Sequence, residues 1–292
     1  MRDQSEINAR FRARLDAGDL IVAPGVFDMI SARVADEKGF DAVYMTGYGI
    51  AASHLGLPDA GLATYSDMES RVRRIAQGTT TPLIADGDTG YGGPLNVAHT
   101  VRGYEAAGAS VIHLEDQDFP KKCGHTLGRL VIPAEDMALK IRVAVDTRDD
   151  PNFLIIARTD ARTAHGLDEA LRRAEAYAEA GADILFVESP ESEAEMEKIC
   201  RSFDLPLVAN MVEGGRTPVL DAARLQELGY RLAIYPATGF LATAAALDAA
   251  YGALRRDGTS LNANVPLYDF DAMSRLLGFE SVWEFDRKYG GG

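Results

Sequence analysis

Eight short apolar runs rich in β-branched residues alternate along this 292-residue chain with segments of helical periodicity, and that pattern predicts an α/β fold, a (β/α)8 barrel using nearly the whole length. The runs are LIVAP (20–24), AVYMTG (42–47), PLIADGD (82–88), SVIHLED (110–116), FLIIARTD (153–160), ILFVESP (184–190), PLVANM (206–211) and RLAIYPA (231–237). Continuous apolar strands suit a parallel sheet covered on its outer side by helices, and eight such units favour a closed barrel over an open sheet. Between them NVAHTVRGYEAAG, AEDMALKIRVAVDTR and LDEALRRAEAYAEAG each carry an apolar stripe and a charged face. A weak internal repeat sets the register of the units: EKGFDAVYM, AAGASVIHL, EAGADILFV and ELGYRLAIY all read helix end, glycine, strand. After Gly258 the chain turns to polar LNANVPLYDF and amphipathic DAMSRLLGFESVWEF, beyond what eight units require. Residues 1–292 are therefore expected to form one barrel domain, with 259–292 a C-terminal helical extension that packs on a neighbouring subunit.

The charge balance narrows the partners. A net charge of −14 and a pI near 4.8 repel polyanions and leave no basic stripe for nucleic acid or acidic membrane, so an anionic ligand must be held by a few local cations. No apolar stretch approaches the roughly 20 residues of a membrane helix. The polar start MRDQSEINARFRARLDAGD has no apolar core of a signal peptide, and the two cysteines, Cys123 and Cys200, lie on segments of different character. The expectation is a cytoplasmic protein with free thiols.

In a barrel of this kind catalytic groups sit at the carboxyl ends of strands. Polar residues gather there: Thr46, Asp86 and Asp88, Glu115 and Asp116, Arg158 and Asp160, Glu188, and Asn210. Taken singly, Asp160 or Ser189 reads as a helix cap or turn residue; taken together, the set reads as a site. Within DGDTGYGG (86–93), Asp86 and Asp88 at alternate positions can point the same way while the glycines let the backbone bend. Joined to Glu115 and Glu188, they make an oxygen-only set suited to a hard cation such as Mg2+, and no spaced Cys/His set calls for zinc. His113, inside an apolar run, reads as a satisfied core histidine. His54 and His99 read as helix residues and Cys200 as buried helix packing.

Cys123 differs. It sits in FPKKCGHTLGRL (119–130), between Lys121, Lys122 and His125, where neighbouring cations are expected to lower its pKa and suit it to proton transfer. Gly124 beside it suggests a loop able to close over a ligand and exclude water.

These residues resemble the isocitrate lyase and phosphoenolpyruvate mutase superfamily over nearly the whole chain. The most specific element is KKCGH (121–125) following LEDQ (114–117), supported by APGVFD (23–28), TGYG (46–49), LGLPD (55–59), DGDTGYGG (86–93), ARTDA (157–161) and NMVEGG (210–215). The resemblance implies a barrel whose eighth helix is exchanged between subunits, in a homotetramer built as a dimer of dimers, with Mg2+ or Mn2+ at the strand ends. It implies that Asp88 touches the metal most directly and that Asp86, Glu115 and Asp59 act through its waters. Thr46, Gly47 and Tyr48 would serve a substrate carboxylate together with Arg158, Gly124 and His125; Glu188 and Asn210 would line the floor. Cys123 would be the proton donor, on a lid that also brings Lys121 and His125. Tyr44, Asp59 and metal-bound water all stand as bases for the hydroxyl proton.

The implied reaction is cleavage of a 2-hydroxy acid to a 2-keto acid and an enolate that is then protonated. The thiol loop argues for carbon–carbon cleavage, although a carboxyphosphonoenolpyruvate phosphonomutase branch keeps a similar loop. Val212, where methylisocitrate lyases carry a hydroxyl side chain, argues against a third substrate carboxylate. The NMVEGG form is similar to the dimethylmalate lyase and oxaloacetate hydrolase group, so a small dicarboxylate of the 2,3-dimethylmalate type is expected. Oxaloacetate hydrolysis, 2-methylisocitrate cleavage, phosphonate chemistry and a non-catalytic binding barrel are the alternatives.

Overall fold

The computed structural model describes residues 3–126 and 128–290. Each apolar run forms a strand: β1 Ile21–Val26, β2 Val43–Met45, β3 Leu83–Asp86, β4 Val111–Glu115, β5 Leu154–Thr159, β6 Ile184–Val187, β7 Val208–Asn210 and β8 Leu232–Tyr235. All pairs are parallel, in the order β6-β5-β4-β3-β2-β1-β8-β7. Leu185 in β6 bridges in parallel to Leu207, its N–H donating to Pro206 O at 3.0 Å, and this contact closes the ring into the expected barrel.

Helix α1 (Gln4–Asp16) precedes the strands. Following successive strands come α2 (Met29–Glu37), a short α3 (Gly47–Ile50) running into a π-turn at Ala51–Leu55, α4 (Tyr65–Gly78), α5 (Pro94–Ala107), α6 (Ala134–Thr147), α7 (Ala161–His165), α8 (Leu167–Glu179), α9 (Glu193–Ser202) and α10 (Ala222–Leu228). Their starts are written locally. At α2 the Asp28 carboxylate accepts from Ser31 N–H at 2.7 Å while Ser31 Oγ accepts from Asp28 N–H at 3.1 Å, and Thr64 and Asp67 do the same for α4. The last helices are α11 (Thr238–Asp257), α12 (Phe270–Leu276) and α13 (Phe279–Tyr289).

Strand alternation separates two apolar layers. Ile21 and Ala23, Leu154 and Ile156, Ile184 and Phe186, and Leu232 and Ile234 cluster inside the barrel, joined by Phe11 and Leu15 of α1. Residues of opposite parity, such as Leu83, Ile112, Ile155 and Leu185, pack outward among the helices. Helix α1 is tied across the amino ends of the strands: Asn8 donates to Asp150 at 2.8 Å, Arg12 pairs with Asp183 at 3.0 Å and Arg14 with Asp41 at 3.0 Å.

The chain divides into two compact units, the first ending at Phe240 and the second starting at Leu241. The first holds the barrel. In the second, Phe279 packs near Trp283 and Phe285 near Tyr289, with ring centres 5.9 and 4.8 Å apart. Among the described residues no helix is long and apolar enough to cross a membrane.

Candidate active site

The two-residue period that fills the barrel with aliphatic side chains turns polar toward the carboxyl ends of the strands. Above the last apolar layer stand Tyr44 from β2, Asp86 from β3, His113 and Glu115 from β4, Arg158 from β5, Glu188 directly after β6 and Asn210 from β7, all buried.

One side of this floor is acidic. Asp86 ends β3, and a turn closed by Gly90 N–H on Gly87 O at 2.9 Å follows, with Asp88 in the left-handed region at φ 48°. Asp86 Oδ1 accepts from Asp88 N–H at 3.0 Å and Oδ2 from Gly47 N–H at 3.2 Å. Gly47 is required there, since a Cβ would stand 2.7 Å from Asp86 Oδ2. Lys121 reaches in from the loop, its ammonium 2.5 Å from Asp59 Oδ1 and 2.6 Å from Asp88 Oδ1. Burial, opposed by Lys121 and reinforced by Asp86 and Asp59, pushes Asp88 up to about 7. Burial, only eased by Arg158, holds Glu115 well above the ordinary carboxylate range. The Lys121 ammonium is correspondingly raised: Asp88, Asp59 and Glu115 outweigh its own burial.

The donor set fits a hard divalent cation. Among the described residues no three carboxylate, imidazole or thiol groups are already gathered in coordinating geometry, and Lys121 stands between Asp59 and Asp88. However, Glu115 Oε1 is buried without a hydrogen-bond partner, and burial is the chief cause that raises both Asp88 and Glu115. Mg2+ commonly takes one or two carboxylates and completes its shell with water and substrate.

The other side is cationic. Arg158 Nε and Nη2 both donate to Asp160 at 2.8 Å, which fixes the guanidinium and aims Nη1 between Glu115 Oε2 at 3.5 Å and Glu188 Oε2 at 3.3 Å. Glu188 is fully buried, and Asn210 donates to its Oε2 at 3.0 Å. Burial alone would raise its carboxyl, but Arg158, His125 and Arg129 overcome that and hold it at about 2. His125 Nδ1 accepts from Arg216 N–H at 3.1 Å, so the neutral ring carries its proton on Nε2, 3.6 Å from Glu188 Oε1. Burial lowers the His125 pKa and favours that neutral form.

The loop 119–130 closes over both sides; Leu127 within it lies outside the described residues. Gln117 donates to Lys122 O at 2.8 Å and accepts from Lys122 N–H at 2.9 Å, Cys123 N–H donates to Asp59 O at 3.1 Å, and Ser189 Oγ donates to Gly124 O at 3.0 Å. The thiol behaves oppositely to the sequence expectation: burial pushes Cys123 up to about 11. The adjacent lysines do not serve it, because Lys121 is engaged by Asp59 and Asp88 while Lys122 Nζ donates to Gly128 O at 2.9 Å. Cys123 is therefore a neutral thiol that holds its proton.

Residues 11–255 match the phosphoenolpyruvate phosphomutase family. The chain belongs to the PEP mutase/isocitrate lyase superfamily. Within it, 2,3-dimethylmalate lyase of Eubacterium barkeri is 50% identical over 285 residues, covering 97% of this chain and 98% of that protein. Oxaloacetate acetylhydrolase, solved with 3,3-difluorooxalacetate, superposes with a TM-score of 0.92 at 35% identity and covers 99% of this chain and 98% of that one. Phosphonopyruvate hydrolase, solved with oxalate and Mg2+, superposes with a TM-score of 0.87 at 32% identity over 98% and 99% of the two chains.

Not every residue picked out along the superfamily motifs faces the centre. Tyr48 packs its ring 5.0 Å from that of Phe240 and is 42% exposed. Thr46 caps α3 by accepting from Gly49 N–H at 3.3 Å. Asp116 points away from Glu115, as alternation demands, and ties β4 to β5 and α8 through Thr159, Asp160 N–H and Tyr177. Asp160 and Ser189, which singly read as cap or turn residues, are instead buried partners of Arg158 and Glu188. His113 is only half satisfied: Nδ1 lies 3.1 Å from Tyr44 Oη, Nε2 has no partner, and burial lowers its pKa to about 4. Burial and Asp86 hold the Tyr44 phenol well above its ordinary value, so it enters the site protonated.

Gly124 is the tightest point of closure. A Cβ there would lie against the Arg158 guanidinium and 2.9 Å from Glu188 Oε2, both held by other bonds. Gly124→Ala is expected to lift the loop and lower kcat by about 10- to 100-fold with a smaller change in KM. Steady-state kinetics on the purified variant check this, and wild-type kcat would mean that the loop tip is free to shift.

Proposed function

We propose that this chain is a divalent-metal-dependent carbon–carbon lyase that cleaves a 2-hydroxy dicarboxylate of the 2,3-dimethylmalate type into a 2-keto acid and a saturated carboxylic acid. The observation that carries the reading is the docked Cys123 loop, in which Cys123 N–H donates to Asp59 O and Gly124 O accepts from Ser189, beside the acidic group Asp59, Asp86, Asp88 and Glu115 and the donors Arg158, His125 and Asn210. Similarity to 2,3-dimethylmalate lyase along almost the full length of both chains supports the substrate class.

Asp88, with Asp86, Glu115 and Asp59, would hold Mg2+ or Mn2+, whose Lewis acidity lowers the cost of removing the C2 hydroxyl proton. Arg158 Nη1 and His125 Nε2–H bind the carboxylates and meet the negative charge that grows as the C2–C3 bond breaks. The electron pair of that bond passes to C3 and its carboxylate, and C2 becomes the keto carbon. The C2 hydroxyl proton passes to a carboxylate of the acidic group, Cys123 Sγ–H delivers its proton to C3, and the proton held on the carboxylate returns through water to the thiolate, so that keto acid and carboxylic acid form with the thiol restored. A thiol near 11 is protonated at neutral pH and still far more acidic than the carbon it protonates. Glu188 keeps its charge to anchor Arg158 and Asn210 beneath the substrate.

The same reading includes a homotetramer with the last helices exchanged between subunits, a cytoplasmic location and no nucleic-acid or membrane partner. Leu247, Leu254, Phe279, Trp283 and Phe285, exposed along α11 and α13, support the assembly, and the unpaired Cys123 and Cys200 support the compartment.

The test is 2-keto acid release with Mg2+ across 2,3-dimethylmalate, 2-methylisocitrate and isocitrate, with oxaloacetate assayed for oxalate. Pyruvate from 2,3-dimethylmalate, abolished by EDTA and restored by Mg2+, is expected. A preference for 2-methylisocitrate removes the two-carboxylate assignment, and oxalate from oxaloacetate moves the chain to hydrolysis. Silence across the panel defeats the lyase reading and turns attention to phosphonates.

A further inference from the structure

The segment that returns from the Cys123 loop is paired to the outgoing one by the antiparallel bridge of Gln117 with Val131 and by Asp118 N–H on Leu130 O at 2.8 Å. Gly128 and Leu130 on this stem are exposed, yet Arg129 between them turns inward and is only 4% exposed. Its Nη1 pairs with Asp160 Oδ1, and its Nη2 donates to Thr163 Oγ1 at 2.5 Å and lies 3.5 Å from Ser189 Oγ. The same Asp160 Oδ1 accepts from Arg158 Nη2 at 2.8 Å while Oδ2 accepts from Arg158 Nε at 2.8 Å. One fully buried carboxylate therefore binds a guanidinium of the barrel floor and a guanidinium of the loop stem.

We propose that Arg129 is a positioning residue that makes docking of the Cys123 loop and fixing of Arg158 a single event, through the Asp160 carboxylate that both guanidinium groups share. The inference rests on the roles given above to Cys123 and Arg158. The loop meets Arg158 twice: at its tip, where Gly124 leaves no room for a Cβ against the guanidinium, and at its stem, through Asp160. Ser189 joins the two attachments, since its hydroxyl donates to Gly124 O and lies within reach of Arg129, and its N–H donates to Glu188 at 2.7 Å. Ser189 holds φ at 59°, an uncommon conformation for a residue with a side chain, and this turns its N–H onto the carboxylate of the preceding residue. With Arg129 in place, Asp160 is neutralised from both sides, and the acid on the loop reaches the site only when the charge-binding arginine is held. Without it, a buried carboxylate keeps one partner and the stem loses its only inward guanidinium, so both the loop and Arg158 gain freedom.

The test reads the loop without relying on turnover. Iodoacetamide is applied to the full-length protein with Mg2+ present, and alkylation of Cys123 and Cys200 is followed separately by peptide mass spectrometry in wild type, Arg129→Met and Arg129→Lys. Cys200, partly buried on α9, is the internal control. Arg129→Met is expected to alkylate at Cys123 about tenfold faster with Cys200 unchanged, and Arg129→Lys to fall between the two. Where the panel above has yielded a substrate, kcat in Arg129→Met falls about a hundredfold against a small change in KM, because Arg129 positions the groups that act and touches no substrate. An unchanged Cys123 rate overturns the proposal. Equal acceleration at both cysteines also overturns it, since Arg129 would then act on the fold as a whole. Silence of the substrate panel removes the lyase reading while leaving the alkylation result to stand for the loop.

Discussion

Cys123→Ser is expected to lower kcat by about 10²- to 10⁴-fold, the range a positioned general acid contributes, while the Kd for 2,3-dimethylmalate measured by calorimetry changes little. A hydroxyl of almost the same size is a far weaker acid, so the step it slows is protonation of C3. The wild-type pH profile provides a second check. A thiol raised by burial to about 11 stays protonated, so kcat shows no loss from thiol ionisation between about pH 7 and about pH 9, where an ordinary thiol would already have lost much of its acid form. Turnover unaltered in the serine variant would take the acid role away from Cys123.

Arg158→Met carries the largest expected effect on both stability and activity. Asp160 and Glu188 both pair with this guanidinium in a buried setting, and removing it leaves Asp160 with Arg129 alone and Glu188 without the guanidinium at 3.3 Å. Breaking such a pair costs about 3–5 kcal/mol, a fall in Tm on the order of 10 °C for a chain this size. The pH dependence has a definite sign. Glu188 is held in the fold at about 2, below its unfolded value, so it contributes stability that is present above the unfolded carboxylate range and is lost as pH falls through about 2. Arg158→Met removes the chief cause of that depression, so its stability deficit against wild type narrows as pH drops below about 4.5. Turnover disappears, and Arg158→Lys does not restore it, because a single ammonium cannot grip Asp160 with two donors and still present a third to the substrate. Calorimetric melts of the variants across pH decide the matter; a methionine variant with wild-type Tm would show that the surrounding carboxylates are compensated elsewhere.

Period and position made most of this site readable. The eight apolar runs became eight strands, and alternation carries the inward face from Ile84 to Asp86, from Val111 through His113 to Glu115, and from Ile156 to Arg158. The same rule turns Asp116 outward, a distinction the sequence contained and that proximity in LED obscured. Charge state was harder to read. Two lysines beside Cys123 imply a lowered thiol pKa only if their side chains point at it, and the direction of each was set by partners remote in sequence, Asp59 and Asp88 for Lys121 and the Gly128 carbonyl for Lys122. Arg129 gave no signal, because its importance lies in Asp160, thirty-one positions away, whose own reading as a helix cap was the ordinary one. Local pattern reports which face a residue occupies, whereas ion-pair choice within a crowded interior depends on the closed fold.

Helix α1 bears on how the molecule exchanges its contents with water. Phe11 and Leu15 seal the interior at the amino ends of the strands, and Asn8, Arg12 and Arg14 rivet that seal to three interstrand connections. Below the site the barrel is packed with side chains, so among the described residues the site opens at the carboxyl ends of the strands, and the Cys123 loop lies across that mouth. Reactant, both fragments and every displaced water must cross the same threshold, so the departure of the first fragment and the arrival of solvent at the second are governed by one opening. An enzyme built this way protects its carbanion by timing as much as by chemistry: protonation has until the mouth opens to finish.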